Sequence, residues 1–249
     1  MPLDLRRVAT EGARLLAQDP ATALRYAGRL LLPMREDYRR RWRMTLTQWL
    51  LHHQRAIVFE NCRWMGVRSY KNPMDAWIYQ EILYDVKPDV IVEIGSAHGG
   101  TTLYLAHLMD LIGKGAVVSV DIDRSKFSVS HPRIEEVTGD SGAPAVVARV
   151  SELCRDKSTV VIHDGDHSRD AVLRDLEAYG KLVSPGSYLI VEDGVMDLFR
   201  PGDGLGTFAP GPLAAIEAFL RVHPEFQVDL AQERYFMTYN PRGFLKRTS

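Results

Sequence analysis

The stretch that decides the fold is Val90-Ile91-Val92-Glu93-Ile94-Gly95-Ser96-Ala97-His98-Gly99-Gly100-Thr101. Four of its first five residues are β-branched and apolar, and the run ends at a glycine, the pattern of a buried parallel strand. Gly95, Gly99 and Gly100 allow a sharp turn and a close approach of backbone to a ligand. Thr101–Met109 then reads as a helix. Its first turn carries free N–H groups and a partial positive charge, which suit an anionic group.

Spacing decides which group. A dinucleotide turn has the pattern G-x-G-x-x-G; here the glycines are spaced G-x-x-x-G-G, and Ala97 stands where the second glycine would be. With Glu93 two positions before Gly95, the arrangement E-x-G-x-x-x-G resembles motif I of the class I S-adenosylmethionine (SAM) methyltransferases. That resemblance implies a loop holding the amino-acid end of SAM rather than a pyrophosphate. The same turn could also serve an α/β domain that binds no cofactor.

Working outward, the 249 residues suit one α/β domain with an appendage. The net charge of -1 gives no argument for nucleic acid as a partner. Two cysteines, Cys62 and Cys154, point away from a disulfide framework and towards a reducing, cytoplasmic setting. No apolar run is long enough to span a membrane, and the first residues lack an uninterrupted apolar signal core.

Residues 1–60 read as a helical extension, with Leu5, Val8, Leu15 and Leu16 as one stripe and a helix over about 36–56. They carry 11 arginines against 6 acids. A basic amphipathic stretch can lie on a membrane surface, which leaves room for peripheral contact. The preferred reading is a solvated face whose apolar side packs on the domain or on a partner subunit of a homo-oligomer. Residues 61–249 form the second domain. A helix over about 74–84 precedes the first strand, and aromatic residues around it, Trp64, Tyr70 and Trp77 among them, either line a substrate cleft or pack on the sheet.

Val117–Asp121 is the second strand. A carboxylate at its end can accept both ribose hydroxyls of an adenosine, with Asp123 as a competitor for the role. Arg133–Val137 is the third strand, followed by Gly139, Asp140 and Ser141. Asp140 suits helix capping before 143–155 and, by the methyltransferase resemblance, a place beside the adenine. Thr159–His163 and Ser187–Val191 are the fourth and fifth strands. Phe226–Leu230 and Tyr235–Asn240 read as the paired closing strands. Between Gly194 and Gly211 lies a long Gly/Pro-rich loop, expected to close over the acceptor.

Alternating strands and helices imply a parallel sheet with ligands at the carboxyl ends of its strands. There the sequence gathers acids that repel one another without a cation. Asp164 follows strand four, and Glu192 and Asp193 follow strand five. Neighbouring strands lie about 5 Å apart, so the three can converge on one divalent ion. Oxygen ligands favour Mg²⁺ or Mn²⁺ over zinc. His167, on the same loop as Asp164, suits a general base, although a capping or surface role would fit it as well. His98 and His163 are weaker candidates, and a buried hydrogen-bonded role suits His163 better.

Taken together, Tyr79-Gln80-Glu81-Ile82-Leu83, Val92–Gly95, Asp164-x-x-His167-Ser168, Val191-Glu192-Asp193, Gly211–Glu217 and the ending Asn240–Leu245 resemble the family called cephalosporin hydroxylases, which also holds bacterial rhamnosyl O-methyltransferases. Despite that name, its members resemble Mg²⁺-dependent SAM O-methyltransferases. The resemblance covers roughly residues 60–247. It implies a class I methyltransferase fold, Rossmann-like, with a mostly parallel seven-stranded sheet and helices on both faces. It also implies SAM held by Glu93, Gly95, Ser96, Gly99, Thr101, Asp121, Gly139, Asp140, Ser141 and Asp164. It further implies Mg²⁺ or Mn²⁺ held by Asp164, Glu192 and Asp193, with His167 as base. The expected acceptor is a small molecule or oligosaccharide: a sugar hydroxyl of a glycolipid, a polysaccharide or a glycosylated natural product. Two other readings are a methyltransferase acting on a β-lactam or polyketide scaffold and a non-catalytic SAM-binding accessory subunit.

Overall fold

The structure is a computed structural model that describes Pro20, residues 43–199 and residues 209–249. Contacts divide the chain into Met1–Trp49 and Leu50–Ser249. The basic stretch before residue 43 and residues 200–208, half of the 194–211 loop, on which the membrane and lid expectations rest, lie outside the described residues. No helix among the described residues is long and apolar enough to cross a membrane.

Helix α1, Leu46–His52, leads into π-helical His53–Val58 and a last turn, Phe59–Asn61. A two-residue hairpin follows, β1 (Arg63–Trp64) and β2 (Val67–Arg68). Helix α2, Pro73–Val86, starts where its sequence predicts. Pro73 occupies the first turn, where its missing N–H costs nothing. The Asn72 side chain accepts the Met74 N–H at 3.2 Å. The main sheet has β3 (Val90–Ile94), β4 (Ala116–Asp121), β5 (Ile134–Thr138), β6 (Thr159–His163), β7 (Tyr188–Val191), β8 (Phe226–Val228) and β9 (Phe244–Arg247). Its order is β5-β4-β3-β6-β7-β9-β8, seven strands with only β9 antiparallel to its neighbours. Further α-helices among the described residues are α3 (Gly100–Ile112), α4 (Pro144–Leu153), α5 (Arg169–Tyr179) and α6 (Pro212–Leu220).

Side chains alternate across each strand, and this fixes the two core layers. Val90, Val92 and Ile94 pack with Val146, Val150, Leu176 and Phe219 from α4, α5 and α6. Ile91 faces the other way, with Ile78 and Ile82 of α2 and Leu105 and Met109 of α3. Both layers are fully buried, and each such side chain contributes roughly 1.5–3 kcal/mol. Helices therefore cover both faces, as the alternating pattern predicts.

One expectation is corrected. Tyr235–Asn240 forms no strand; the partner of β8 is Phe244–Arg247. The reason is that the backbone of 237–240 is committed elsewhere. Met237 O accepts from Asn72 Nδ2 at 2.9 Å, Tyr239 N donates to Asp75 Oδ2 at 2.9 Å, and Tyr239 O takes the Val195 N–H at 3.0 Å. A segment spending its hydrogen bonds on side chains and loops has none left for a ladder.

Candidate active site

The strand order reverses at β3, between neighbours β4 and β6, and a crevice opens there beyond the carboxyl ends of the strands. Gly95 sits at its mouth with φ +87, and a Cβ there would stand 2.0 Å from the carbonyl oxygen of Asp164. Only glycine fits. The cavity measures about 630 Å³ and is lined by Ser96, Thr101, Asp121, Gly139, Asp140, Ser141, Asp164, His167 and Asp193, with Gly95 among them.

Glu93 and Gly99 stand behind this wall. Glu93 is 1% exposed and takes a short hydrogen bond from the Thr102 hydroxyl of α3, while its Oε1 has no hydrogen-bond partner among the described residues. Burial pushes its carboxyl up to about 8. Glu93 thus ties the strand to the helix behind the turn. Gly99 caps α3 in the left-handed conformation.

Asp121 grips the turn itself. Its Oδ2 accepts the N–H groups of Ser96 and Ala97, both at 2.8 Å, and the Ser96 hydroxyl at 3.2 Å. Its Oδ1 accepts only the Asp123 N–H, at 3.0 Å, which leaves lone pairs for a ligand hydroxyl. These donors outweigh burial and hold the carboxyl below its usual range. Asp123 spends its own carboxylate on Ser125. Asp140 caps no helix end: Ala143 is the N-cap of α4, and Asp140 Oδ1 takes the Gly142 N–H at 2.9 Å. The Ser141 hydroxyl donates to Asp175 at 2.6 Å, and Asp175 in turn lies 3.2 Å from His163 Nε2. His163 is buried and hydrogen-bonded within the fold. Ser168 occupies the N-cap of α5, but its hydroxyl makes no capping bond.

The acidic floor is built by β6 and β7. Parallel pairing of His163 with Val191 brings Asp164 beside Glu192 and Asp193. One ligand atom from each of Asp164, His167 and Asp193 lies within 4.8 Å of the others. His167 Nε2 is 3.5 Å from Asp164 Oδ1 and 3.3 Å from Asp193 Oδ2. Burial opposes a charged imidazole, but the surrounding carboxylates outweigh it and raise His167 to about 9. Burial and mutual repulsion raise Glu192 to about 8, and Asp193 is lifted to about 6. Glu192 is 4% exposed, and its Oε1 has no hydrogen-bond partner among the described residues. A crowded carboxylate set with an unsatisfied buried oxygen fits a hard divalent cation.

Sequence reasoning passes over Lys71. It is 4% exposed, and its ammonium bridges Asp164 Oδ2, at 3.1 Å, and Glu192 Oε2 in a close ion pair. Burial works against its charge, yet the two carboxylates outweigh it and hold the amine above the ordinary lysine range. The available signal was a charge count at the strand ends, where buried acids need a buried base. Asp75 is the second omission. It is 2% exposed and accepts the Thr238 hydroxyl at 2.6 Å and the Tyr239 N–H. Asn240 Oδ1 then accepts the Asp193 N–H at 3.0 Å, holding Asp193 in its left-handed conformation at φ 59.

Residues 56–248 match the family described as Rhamnosyl O-methyltransferase/CmcI. A rhamnosyl O-methyltransferase of Mycobacterium leprae is 34% identical over 198 residues, covering 77% of this chain and 85% of the relative. One from Mycobacterium bovis is 32% identical over 200 residues, covering 77% and 80%. A CmcI structure with Mg and SAM superposes with a TM-score of 0.61 at 21% identity, over 77% of this chain and 78% of that one. At such identity the likeness speaks for the fold alone, and it is the fold derived above. The sequence match, which spans the glycine turn, the acidic floor and the closing strands alike, carries the assignment: the chain belongs to the Rhamnosyl O-methyltransferase/CmcI family.

Proposed function

We propose that the protein is a divalent-metal-dependent SAM O-methyltransferase that methylates a sugar hydroxyl. The observation that carries this is the meeting of Asp164, His167 and Asp193 within 4.8 Å in the wall of the cavity that the glycine turn opens. The relatives' rhamnosyl acceptors and the CmcI structure with Mg and SAM support the acceptor class and the cofactors. In this reading the turn 95–99 and Thr101 surround the amino-acid end of SAM, Asp121 takes the ribose, and Gly139, Asp140 and Ser141 flank the adenine. Asp164 stands between the cofactor and metal sites.

Asp164, Glu192 and Asp193 would hold Mg²⁺ or Mn²⁺. Bound there, a divalent ion lowers the pKa of a coordinated hydroxyl and fixes its direction. His167 Nε2 takes the hydroxyl proton. The oxygen forms its bond to the SAM methyl carbon as the carbon–sulfur bond breaks, and the electron pair leaves with S-adenosylhomocysteine. The imidazole must be neutral to accept that proton. Asp164 and Asp193 favour its charged form, so a cation that drew their charge would free it to act.

The test is incubation of the protein with SAM and Mg²⁺ against a panel of rhamnosides and other glycosides, reading product mass and methylated position. Methylation of a sugar oxygen that stops in EDTA and returns with Mg²⁺ is expected. Turnover unaffected by EDTA would overturn the metal assignment, and methylation only of β-lactam or polyketide acceptors would overturn the sugar assignment.

A further inference from the structure

Lys71 has no place in the steps above, yet it stands inside the carboxylate set. Its ammonium takes one oxygen from each of two ligands, Asp164 Oδ2 and Glu192 Oε2, and lies 5.5 Å from the centre of the Tyr79 ring. The opposite oxygens remain. Asp164 Oδ1 faces His167 at 3.5 Å, and Glu192 Oε1 is buried without a hydrogen-bond partner among the described residues. An unsatisfied buried acceptor beside a cation-bound one is costly, and it offers an oxygen to a second cation. The lysine is anchored from outside the acidic loops: it directly precedes Asn72 and Pro73 at the start of α2, where the Asn72 side chain caps the helix.

We propose that Lys71 is a positioning residue of the metal site: an internal monovalent cation that holds one oxygen each of Asp164 and Glu192, fixes the orientation of both carboxylates, and by its charge would keep a divalent ion weakly and reversibly held. This rests on the metal reading of the site. Two consequences follow from charge alone. Without the ammonium, the metal-free floor loses the buried cation its acids share, and they either stay poorly compensated or take up protons. A divalent ion arriving there then meets one cationic competitor fewer, and charges a few ångströms apart inside a protein interact strongly.

The experiment titrates Mn²⁺ alone, followed by electron paramagnetic resonance, into the full-length wild type, Lys71→Met, Glu192→Gln and the double variant Lys71→Met/Glu192→Gln, with thermal melts of each in EDTA and in Mn²⁺. Lys71→Met is expected to bind Mn²⁺ at least about tenfold more tightly than wild type, to melt lower in EDTA, and to gain more from Mn²⁺ than wild type does. Should Lys71→Met not fold, the pair Glu192→Gln and Lys71→Met/Glu192→Gln makes the same comparison with one fewer acid, and the same tightening is expected. Affinities equal within about twofold, or weaker on losing Lys71, would overturn the inference while leaving the metal reading intact. A wild type that takes up no Mn²⁺ would overturn both.

Discussion

At the scale of single residues, the site contrasts two buried acids with one histidine. His167 is held near pKa 9 by carboxylates on two loops, and replacing it removes the proposed proton acceptor without touching the glycine turn. His167→Ala is expected to lose roughly 10²–10⁴-fold in turnover while keeping its affinity for S-adenosylhomocysteine by calorimetry. Wild-type turnover would move the base elsewhere, with Asp166 or His98 next in line. Glu93 makes a claim about stability. Its carboxyl is raised to about 8 by burial, so the folded state binds a proton that the unfolded state releases nearer 4.5. The associated stability is complete below that lower value and is lost as pH rises through about 8. The melting temperature of the wild type should therefore decline across that window. Glu93→Gln, whose carbonyl can still accept the Thr102 hydroxyl, should flatten the decline, and an unchanged slope would show that Glu93 is ionised throughout.

At the scale of elements, the strand–turn–helix unit from Val90 to Ile112 was legible because every signal in it is local: the β-branched run, the glycines, the helix beginning at once. Gly95→Ala tests the reading directly. The added carbon has nowhere to go but into the Asp164 carbonyl, so SAM-analogue binding and melting temperature should both fall; a stable variant with normal affinity would mean that β3 and β6 part more easily than their hydrogen bonds suggest. Asp121→Ala should likewise lose S-adenosylhomocysteine affinity, both by freeing the Ser96 and Ala97 N–H groups and by removing the acid offered to the ribose. What escaped the sequence was not local. Tyr235–Asn240 has the look of a strand, and only its partners Asp75 and Asn72, over 160 residues away in the chain, explain why it is none. Lys71 sits in an aromatic, helix-starting stretch, and its role becomes visible only when α2 is set against the ends of β6 and β7.

At the scale of the whole molecule, the second unit begins at Leu50. Leu50, Leu51 and Val58 pack with Val195, Phe199 and Tyr239 around the loop that follows Asp193. A chain starting at Leu50 is therefore expected to melt cooperatively and bind S-adenosylhomocysteine, whereas one starting at residue 61 should melt several degrees lower; equal melting would return residues 50–60 to the appendage. The Asp75 contacts carry a further meaning, for the order in which a newly made chain becomes competent. Asp164 and His167 leave the ribosome well ahead of Asn240, and until Asn240 has emerged the Asp193 N–H lacks its folded-state partner. Closing so long a loop is entropically slow. The glycine turn can therefore form while the backbone of the acidic floor still waits for that partner.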